Sequence, residues 1–263
     1  MRIAIGVEYD GTAYNGWQRQ QNGAGIQEKL EAAIAVVADH EVELSCAGRT
    51  DAGVHASGQV AHFDTQSGRS DRGWLLGVNS LLPDDVNLTW VRRVDPAFHA
   101  RYSATARSYR YLILNQLVRS ALFRHRAWWV HEPLDADTMH AAAQRLVGEH
   151  DFSAFRAAGC QASSPVREIR SIEVRREASW VVLDVTANAF LQHMVRNITG
   201  SLAAVGAGRC SGDWLADVLD SRDRRSAGVA APPQGLTLTG VTYPQAYGLP
   251  AAGEPGETSA ETH

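Results

Sequence analysis

Residues 46–60 read CAGRTDAGVHASGQV and lie between two short apolar runs, 42–46 and 60–64, that are typical of strands. Three glycines at a spacing of five predict a loop that turns sharply or lets another backbone come close. Arg49 and Asp51 flank Thr50 within this loop. A carboxylate beside a cation on such a loop can be held ionised and aimed at a ligand. The alternative is a surface turn closed by an Asx hydrogen bond.

Apolar periodicity predicts the elements around this loop. Residues 2–9 alternate as a half-buried strand does, and residues 26–38 carry apolar side chains on one helical face. Residues 137–148 predict another helix, and residues 188–205 predict the most regular one. Within that last helix, Arg196 lies away from the main apolar face, so periodicity predicts that it faces solvent or a cleft.

Composition is that of a globular protein without a membrane partner. No apolar run approaches the roughly 20 residues of a membrane span, and Glu8 and Asp10 interrupt any signal-peptide pattern, which predicts a cytoplasmic protein. Cys46, Cys160 and Cys210 are far apart and odd in number. Neither a disulfide framework nor a zinc site is therefore predicted.

The arginines are clustered although the net charge is −4. Lys29 is the only lysine, so 24 of the 25 basic residues are arginine. Residues 92–126 contain eight arginines and one acid, Asp95, a local charge of about +7. Because arginine binds phosphate in a bidentate way and stacks on bases, this zone predicts a nucleic-acid partner. Codon bias explains the choice of arginine over lysine but not the clustering.

Four stretches resemble the tRNA pseudouridine synthase A family. They are GRTDAGVHA at 48–56, YDGTAYNGWQ at 9–18, FHARYSA at 98–104 and NAFLQHMVRNITG at 188–200. Nine contiguous matches in the first make it far more specific than a lone glycine motif. The similarity extends to Pro244 and departs from the family at Thr237, where the family usually has tyrosine.

The resemblance implies an isomerase that converts uridine to pseudouridine in the anticodon stem-loop of tRNA, at positions 38, 39 and 40. It implies a homodimer that needs no metal or organic cofactor. Asp51 would be the nucleophile and Arg196 its cationic partner. Tyr109 would stack on the flipped-out base, Leu236 would wall the pocket, and Arg49 would hold RNA near the loop. Three uses of Asp51 remain open: attack on the base, attack on the sugar, or removal of a ribose proton.

The order of elements predicts an α+β fold with a largely antiparallel sheet. The resemblance adds that two similar halves, residues 1–103 and 104–245, form one mixed sheet flanked by helices, with a central basic cleft. Residues 246–263 are rich in Gly, Ala, Pro, Glu and Thr and predict a disordered tail.

Two other functions fit parts of the sequence. A tRNA-binding protein without catalysis would explain the arginine zone and the aromatic residues. It would not need Asp51 beside Arg49, because a carboxylate facing phosphates repels them. A metal-dependent hydrolase would use His55, His62 and Asp64, although the pair His55 and His62 has no recognised ligand spacing.

Overall fold

A computed structural model describes residues 1–19 and 23–250. These residues divide into two compact units. The first comprises Met1–Thr105 and the described residues from Leu238 onward, and the second comprises Ala106–Thr237. None of the helices in the described ranges has the length and apolar character that a membrane crossing requires.

The chain forms ten strands and five α-helices in the part that the structure describes. In chain order they are β1 (Arg2–Tyr9), α1 (Ile26–Ala38), β2 (Ser45–Cys46), β3 (His55–Asp64), α2 (Asp71–Asn79), β4 (Val86–Val94), β5 (Ala106–Asn115), β6 (Trp128–Val130), α3 (Ala136–Ala143), β7 (Gly148–Asp151), β8 (Val166–Glu177), β9 (Trp180–Ala187), α4 (Met194–Gly206), α5 (Trp214–Ser221) and β10 (Leu236–Thr242).

In the first unit the strand order is β4-β1-β3-β10, with β2 added beside β3. The central strand β1 is antiparallel to both neighbours, so that Ile5 lies opposite Ala61 and Val91. Helix α1 has the bounds that its periodicity predicts, and Ile26, Leu30 and Ile34 are fully buried. Burial of this apolar face stabilises the helix more than its intrinsic propensity does.

In the second unit the strand order is β5-β9-β8-β7, with β6 added beside β5. The pairs along this order are antiparallel, whereas β6 runs parallel to β5. Helix α3 packs on β8 and on α4. The prediction of an α+β fold with a mixed, largely antiparallel sheet and flanking helices is confirmed, and the central basic cleft stays a prediction.

Two predicted helices differ from the structure in their bounds. Helix α4 begins at Met194 and not at residue 188, because His193 takes a left-handed conformation with φ 62° that ends the preceding loop. The helix predicted at 137–148 ends at Ala143, and β7 starts at Gly148.

The predicted tail comprises residues 246–263. Within its first residues, the Tyr247 ring packs on the Phe98 ring with centroids 5.1 Å apart. Residues 251–263 lie outside the described residues.

Candidate active site

The loop that carries Asp51 is fixed from several directions. Thr50 is buried, and its Oγ1 lies 2.8 Å from the Tyr9 hydroxyl on β1. Gln59 Nε2 on β3 donates to the Gly48 carbonyl at 2.7 Å. The Asp51 carbonyl accepts a hydrogen bond from the Val54 N–H at 3.1 Å, which closes a tight turn. The Asp51 residue is half-buried at the tip of this turn.

The aromatic segment after β1 packs directly against this loop. The Trp17 N–H donates to the Thr50 carbonyl at 3.0 Å, and the Gly53 N–H donates to the Tyr14 carbonyl at 3.3 Å. Gly16 has φ +95°, and a Cβ on it would lie 2.5 Å from the Thr50 oxygen. Only glycine allows both this conformation and this approach. Tyr14 and Trp17 are buried, and their backbone groups make the two hydrogen bonds that hold this segment to the Asp51 loop.

His55 also links the two segments, a role that the sequence did not reveal. It is 2% exposed, and its Nδ1 accepts a hydrogen bond from the Gly11 N–H at 3.1 Å. The same nitrogen lies 3.1 Å from Asp10 Oδ1. The two matched stretches, 9–18 and 48–56, contain all three residues, and that coincidence is the signal that could have suggested their contact.

Arg196 lies in the second unit and is half-buried. Its Nε–H donates to the Ala231 carbonyl at 2.8 Å, and the Ala231 N–H donates back to the Arg196 carbonyl at 3.0 Å. Helix α4 and the following loop meet closely here, because a Cβ on Gly200 would lie 1.8 Å from the Val229 oxygen. This reciprocal pair fixes the orientation of the Arg196 guanidinium.

Tyr111 holds the other side of the same loop. Its hydroxyl donates to the Pro232 carbonyl at 2.6 Å. Burial raises the pKa of Tyr111 well above its ordinary value, and the positive charge of Arg196 partly opposes this shift. The Tyr111 ring, the Arg196 guanidinium and the segment from Ala231 to Pro232 therefore form one cluster in the second unit.

Tyr109 and Leu236 are both largely buried, at 9% and 5% exposure. Tyr109 lies on β5, and its ring meets Phe190 edge to face, with centroids 5.1 Å apart and planes at 85°. Leu236 is the first residue of β10 and follows a tight turn that ends at Gly235. Both side chains are apolar surfaces of the kind that excludes water from a pocket.

The basic zone predicted at 92–126 is divided between structural and exposed arginines. Arg107 is buried and donates to the Asn188 carbonyl at 2.9 Å, and Arg110 pairs with Asp184 at 2.8 Å. Arg101 and Arg124 are exposed, as is Arg49 in the Asp51 loop. Part of the clustered charge therefore holds strands together, and the remainder faces solvent.

The three residues of the alternative metal-dependent hydrolase, His55, His62 and Asp64, make other contacts. Arg2 donates from Nε to Asp64 Oδ1 at 2.9 Å and from Nη2 to Asp64 Oδ2 at 2.7 Å. His62 Nδ1 accepts a hydrogen bond from the Ala100 N–H at 3.2 Å. Across the described ranges, no group of three or more His, Cys, Asp and Glu side chains is arranged to hold a metal ion.

The predicted site residues are divided between the two units. Arg49 and Asp51 belong to the first unit, and Tyr109, Arg196 and Leu236 belong to the second. Within the first, the structure brings Asp51 and Arg49 onto one braced loop. Within the second, it ties Arg196 to the chain segment that leads into Leu236.

Comparison with known proteins gives one family. The family model described as tRNA pseudouridine synthase matches residues 5–103 and 142–244. A protein named tRNA pseudouridine synthase A from Methylococcus capsulatus is 55% identical over 249 residues, which cover 95% of this chain and 92% of that one. Proteins of the same name from Aeromonas hydrophila and Coxiella burnetii are 54% and 53% identical, again over 95% of this chain and over 93% and 95% of theirs.

One chain of a solved Cbf5-Nop10-Gar1 complex aligns with this protein. The alignment covers 90% of this chain and 48% of the chain in that complex. The TM-score is 0.37 at 13% identity, too low a likeness to support any conclusion. The sequence relatives suffice, and they confirm the resemblance found in the motifs. The chain belongs to the tRNA pseudouridine synthase A family and is an enzyme of the isomerase class.

Proposed function

We propose that this chain isomerises uridine to pseudouridine in the anticodon stem-loop of tRNA, at positions 38, 39 and 40. The bond between uracil N1 and ribose C1′ breaks, the uracil turns, and its C5 joins the same C1′. C5 loses its hydrogen and N1 gains one, so the product has the same atoms as the substrate. Because the target base is stacked in the RNA, it must first be flipped out, which costs a few kcal/mol.

The observation that carries this proposal is the bracing of the Asp51 loop. Asp51 follows a buried Thr50 that is bound to Tyr9, and its own carbonyl closes a turn onto Val54. A nucleophile must meet its target in one orientation, and a fixed backbone provides that orientation before the substrate arrives. Asp51 is the nucleophile in this proposal, since carboxylates form covalent intermediates in glycosyl chemistry.

In this proposal Arg196 is the cationic partner of Asp51. Its Nε is engaged by the Ala231 carbonyl at 2.8 Å, which fixes the plane of the guanidinium. A guanidinium held in this way presents a rigid fork that suits a carboxylate. A lysine at this position would keep the charge but lose that geometry.

Tyr109 and Leu236 form the apolar part of the pocket. The Tyr109 ring stacks on the flipped uracil, and its edge contact with Phe190 sets the ring plane. Leu236 walls the pocket on the side of the segment held by Arg196 and Tyr111. Isomerisation requires such a lining, because water that reached the detached sugar would give hydrolysis instead.

Arg49 is exposed next to Asp51 and binds an RNA phosphate beside the flipped nucleotide. The proposed enzyme works as a homodimer in the cytoplasm, and a second copy extends the basic surface available to one tRNA. Neither a metal nor an organic cofactor takes part, because the reaction is an isomerisation at a single glycosidic bond.

The experiment that tests this function maps pseudouridine in tRNA transcripts. Transcripts with uridine at positions 38, 39 and 40 are incubated with the protein, treated with a carbodiimide that marks pseudouridine, and read by reverse transcription. We expect stops at these three positions and none in a transcript that has cytidine there. Retention of the tRNA on a filter without any stop would instead establish a tRNA-binding protein without catalysis.

A further inference from the structure

A column of four aromatic rings runs from the core of the first unit to its surface. The Phe98 and His62 rings lie 5.9 Å apart, His62 and His99 4.6 Å, and His99 and Tyr102 4.3 Å between centroids. Phe98 is fully buried, whereas Tyr102 is 77% exposed. The column therefore ends in a tyrosine ring that rests on His99 and is largely exposed to solvent. An exposed large aromatic in this position has no role in the core.

The loop that presents Tyr102 is held by its own hydrogen bonds. His99 Nδ1 accepts from the Arg101 N–H at 3.1 Å, and His62 Nδ1 accepts from the Ala100 N–H at 3.2 Å. The His99 N–H donates to Ser103 Oγ at 3.0 Å, and the Ser103 N–H donates back to the His99 carbonyl at 2.9 Å. Because the loop is ordered in advance, a ligand that stacks on Tyr102 pays little to order it.

Positive charge surrounds the exposed ring. The Arg101 guanidinium carbon lies 5.7 Å from the Tyr102 ring centroid, within the range of a cation–π contact. Desolvation, followed by the charges of Arg2 and Arg101, lowers the pKa of His99, so the imidazole beneath Tyr102 is neutral at neutral pH. The ring stack is therefore uncharged, and the guanidinium beside it supplies the charge.

The patch lies near the Asp51 loop. Ser45 on β2 lies opposite His62 on β3, and the His62 ring lies 4.6 Å from the His99 ring of the patch. Cys46 ends β2, and Arg49 follows it by three residues in the Asp51 loop. Arg49 is only two residues from Asp51. An RNA strand bound at Arg49 thus has Arg101 and Tyr102 within reach.

We propose that Tyr102, His99 and Arg101 form a second RNA-binding site, at which an unpaired base of the tRNA stacks on Tyr102 and a neighbouring phosphate binds Arg101. This inference rests on the proposed function, because it assigns a further contact to the same substrate. A flat, uncharged ring next to a guanidinium matches a nucleotide, which joins a flat base to a negative phosphate. Arginine also stacks on bases, which lets the site accept any of the four.

The test compares three variants with the wild type in tritium release from tRNA labelled at uracil C5. Tyr102→Ala removes the ring, Tyr102→Phe keeps the ring without its hydroxyl, and Leu76→Ala removes an exposed apolar side chain elsewhere in the first unit. We expect Tyr102→Ala to raise KM for tRNA about 10-fold with kcat nearly unchanged, which is the size of one lost base–aromatic stack. Tyr102→Phe and Leu76→Ala should match the wild type within about twofold.

A second readout reports stacking directly. Wild-type protein is irradiated with tRNA that contains 5-iodouridine, and the adduct is located by mass spectrometry of its peptides. We expect a crosslink on Tyr102. An unchanged KM for Tyr102→Ala, an equal loss in Tyr102→Phe, or adducts that avoid residue 102 would each overturn the proposal. If the wild type released no tritium, the proposed function would fail, and the Kd of the same variants for tRNA on filters would still decide whether the ring binds RNA.

Discussion

Replacing Gly16 with alanine tests whether the segment after β1 positions Asp51, the proposed nucleophile. An ideal Cβ at Gly16 would lie 2.5 Å from the Thr50 oxygen and 3.0 Å from the Asp51 carbonyl carbon. Atoms in ordinary contact with a Cβ stand at 3.4 Å or more, so the Thr50 carbonyl must retreat by the difference, about 0.9 Å. A displacement of about 1 Å in a catalytic group can cost 10²-fold in rate. We therefore expect kcat of Gly16→Ala to fall about 10- to 100-fold.

The backbone at Gly16 adds a stability cost. Its φ of +95° lies in the region that residues with a Cβ avoid, at a cost of roughly 1–2 kcal/mol. For a chain of this length that corresponds to a Tm lower by about 2–8 °C. Thermal unfolding and tRNA retention on filters then show whether the lost rate comes from a folded protein that still binds its substrate.

Gly48→Ala is the matched control in the Asp51 loop. A Cβ at Gly48 would meet nothing within 4 Å, and its φ is not positive. We expect its kcat to remain within about twofold of the wild type and its Tm to change by about 1–2 °C at most. A wild-type rate for Gly16→Ala, or an equal loss in both variants, would refute the claim that contact with the Gly16 segment positions Asp51.

Two further predictions concern the surroundings of the loop. Tyr9→Phe removes the partner of the buried Thr50 Oγ1 and should lower the free energy of unfolding by about 1–2 kcal/mol. Thr50→Val should destabilise the Tyr9→Phe variant less than it destabilises the wild type, and a double-mutant cycle by urea denaturation measures the difference. Burial, followed by the charges of His99 and Arg2, lowers the pKa of His62 from its ordinary 6.5 to about 4 in the folded protein. Between these two pKa values the unfolded chain binds more protons than the folded protein, so the free energy of unfolding should be full above pH 6.5 and fall as the pH approaches 4. Urea unfolding across this range should show a shallower fall for His62→Gln than for the wild type. An identical fall in both proteins would contradict the assignment.

Local periodicity predicts most accurately the helices and strands that bury only one face. Helix α1 has one buried face, and its bounds match the sequence prediction. Helix α4 is buried on more than one face, because Asn197 and Gly200, on the side that the sequence predicts to be polar, are also buried. Arg224 and the carbonyl of Val229 approach them from a distant part of the chain. A helical wheel cannot register a loop that packs on the helix from 30 residues away.

The short strand β6 escaped prediction for a related reason. It has three residues, and its parallel pairing with β5 is a long-range contact that leaves no alternating pattern in so short a stretch. Pattern reasoning requires several periods to separate a strand from a loop. Strand β1, with eight residues, contains enough alternation for that distinction.

In the candidate site, the sequence indicated the residues with chemistry but not those that hold them. Asp51 and Arg49 stand out because charge on a glycine-rich loop is unusual. His55 was considered only as a metal ligand, whereas its ring in fact joins the Asp51 loop to Gly11. Tyr111 gave no functional signal, because its hydroxyl binds a backbone carbonyl 121 residues away. Such supporting contacts depend on the tertiary fold and have no local pattern.

The central claim is that Asp51 performs the isomerisation, and tritium release from tRNA labelled at uracil C5 tests it most directly. Every conversion to pseudouridine frees the hydrogen at C5, so release counts turnovers. The account predicts release by the wild type and none by Asp51→Ala, with both proteins retaining tRNA on a filter. Equal release by the two proteins would remove Asp51 from the mechanism and contradict the account.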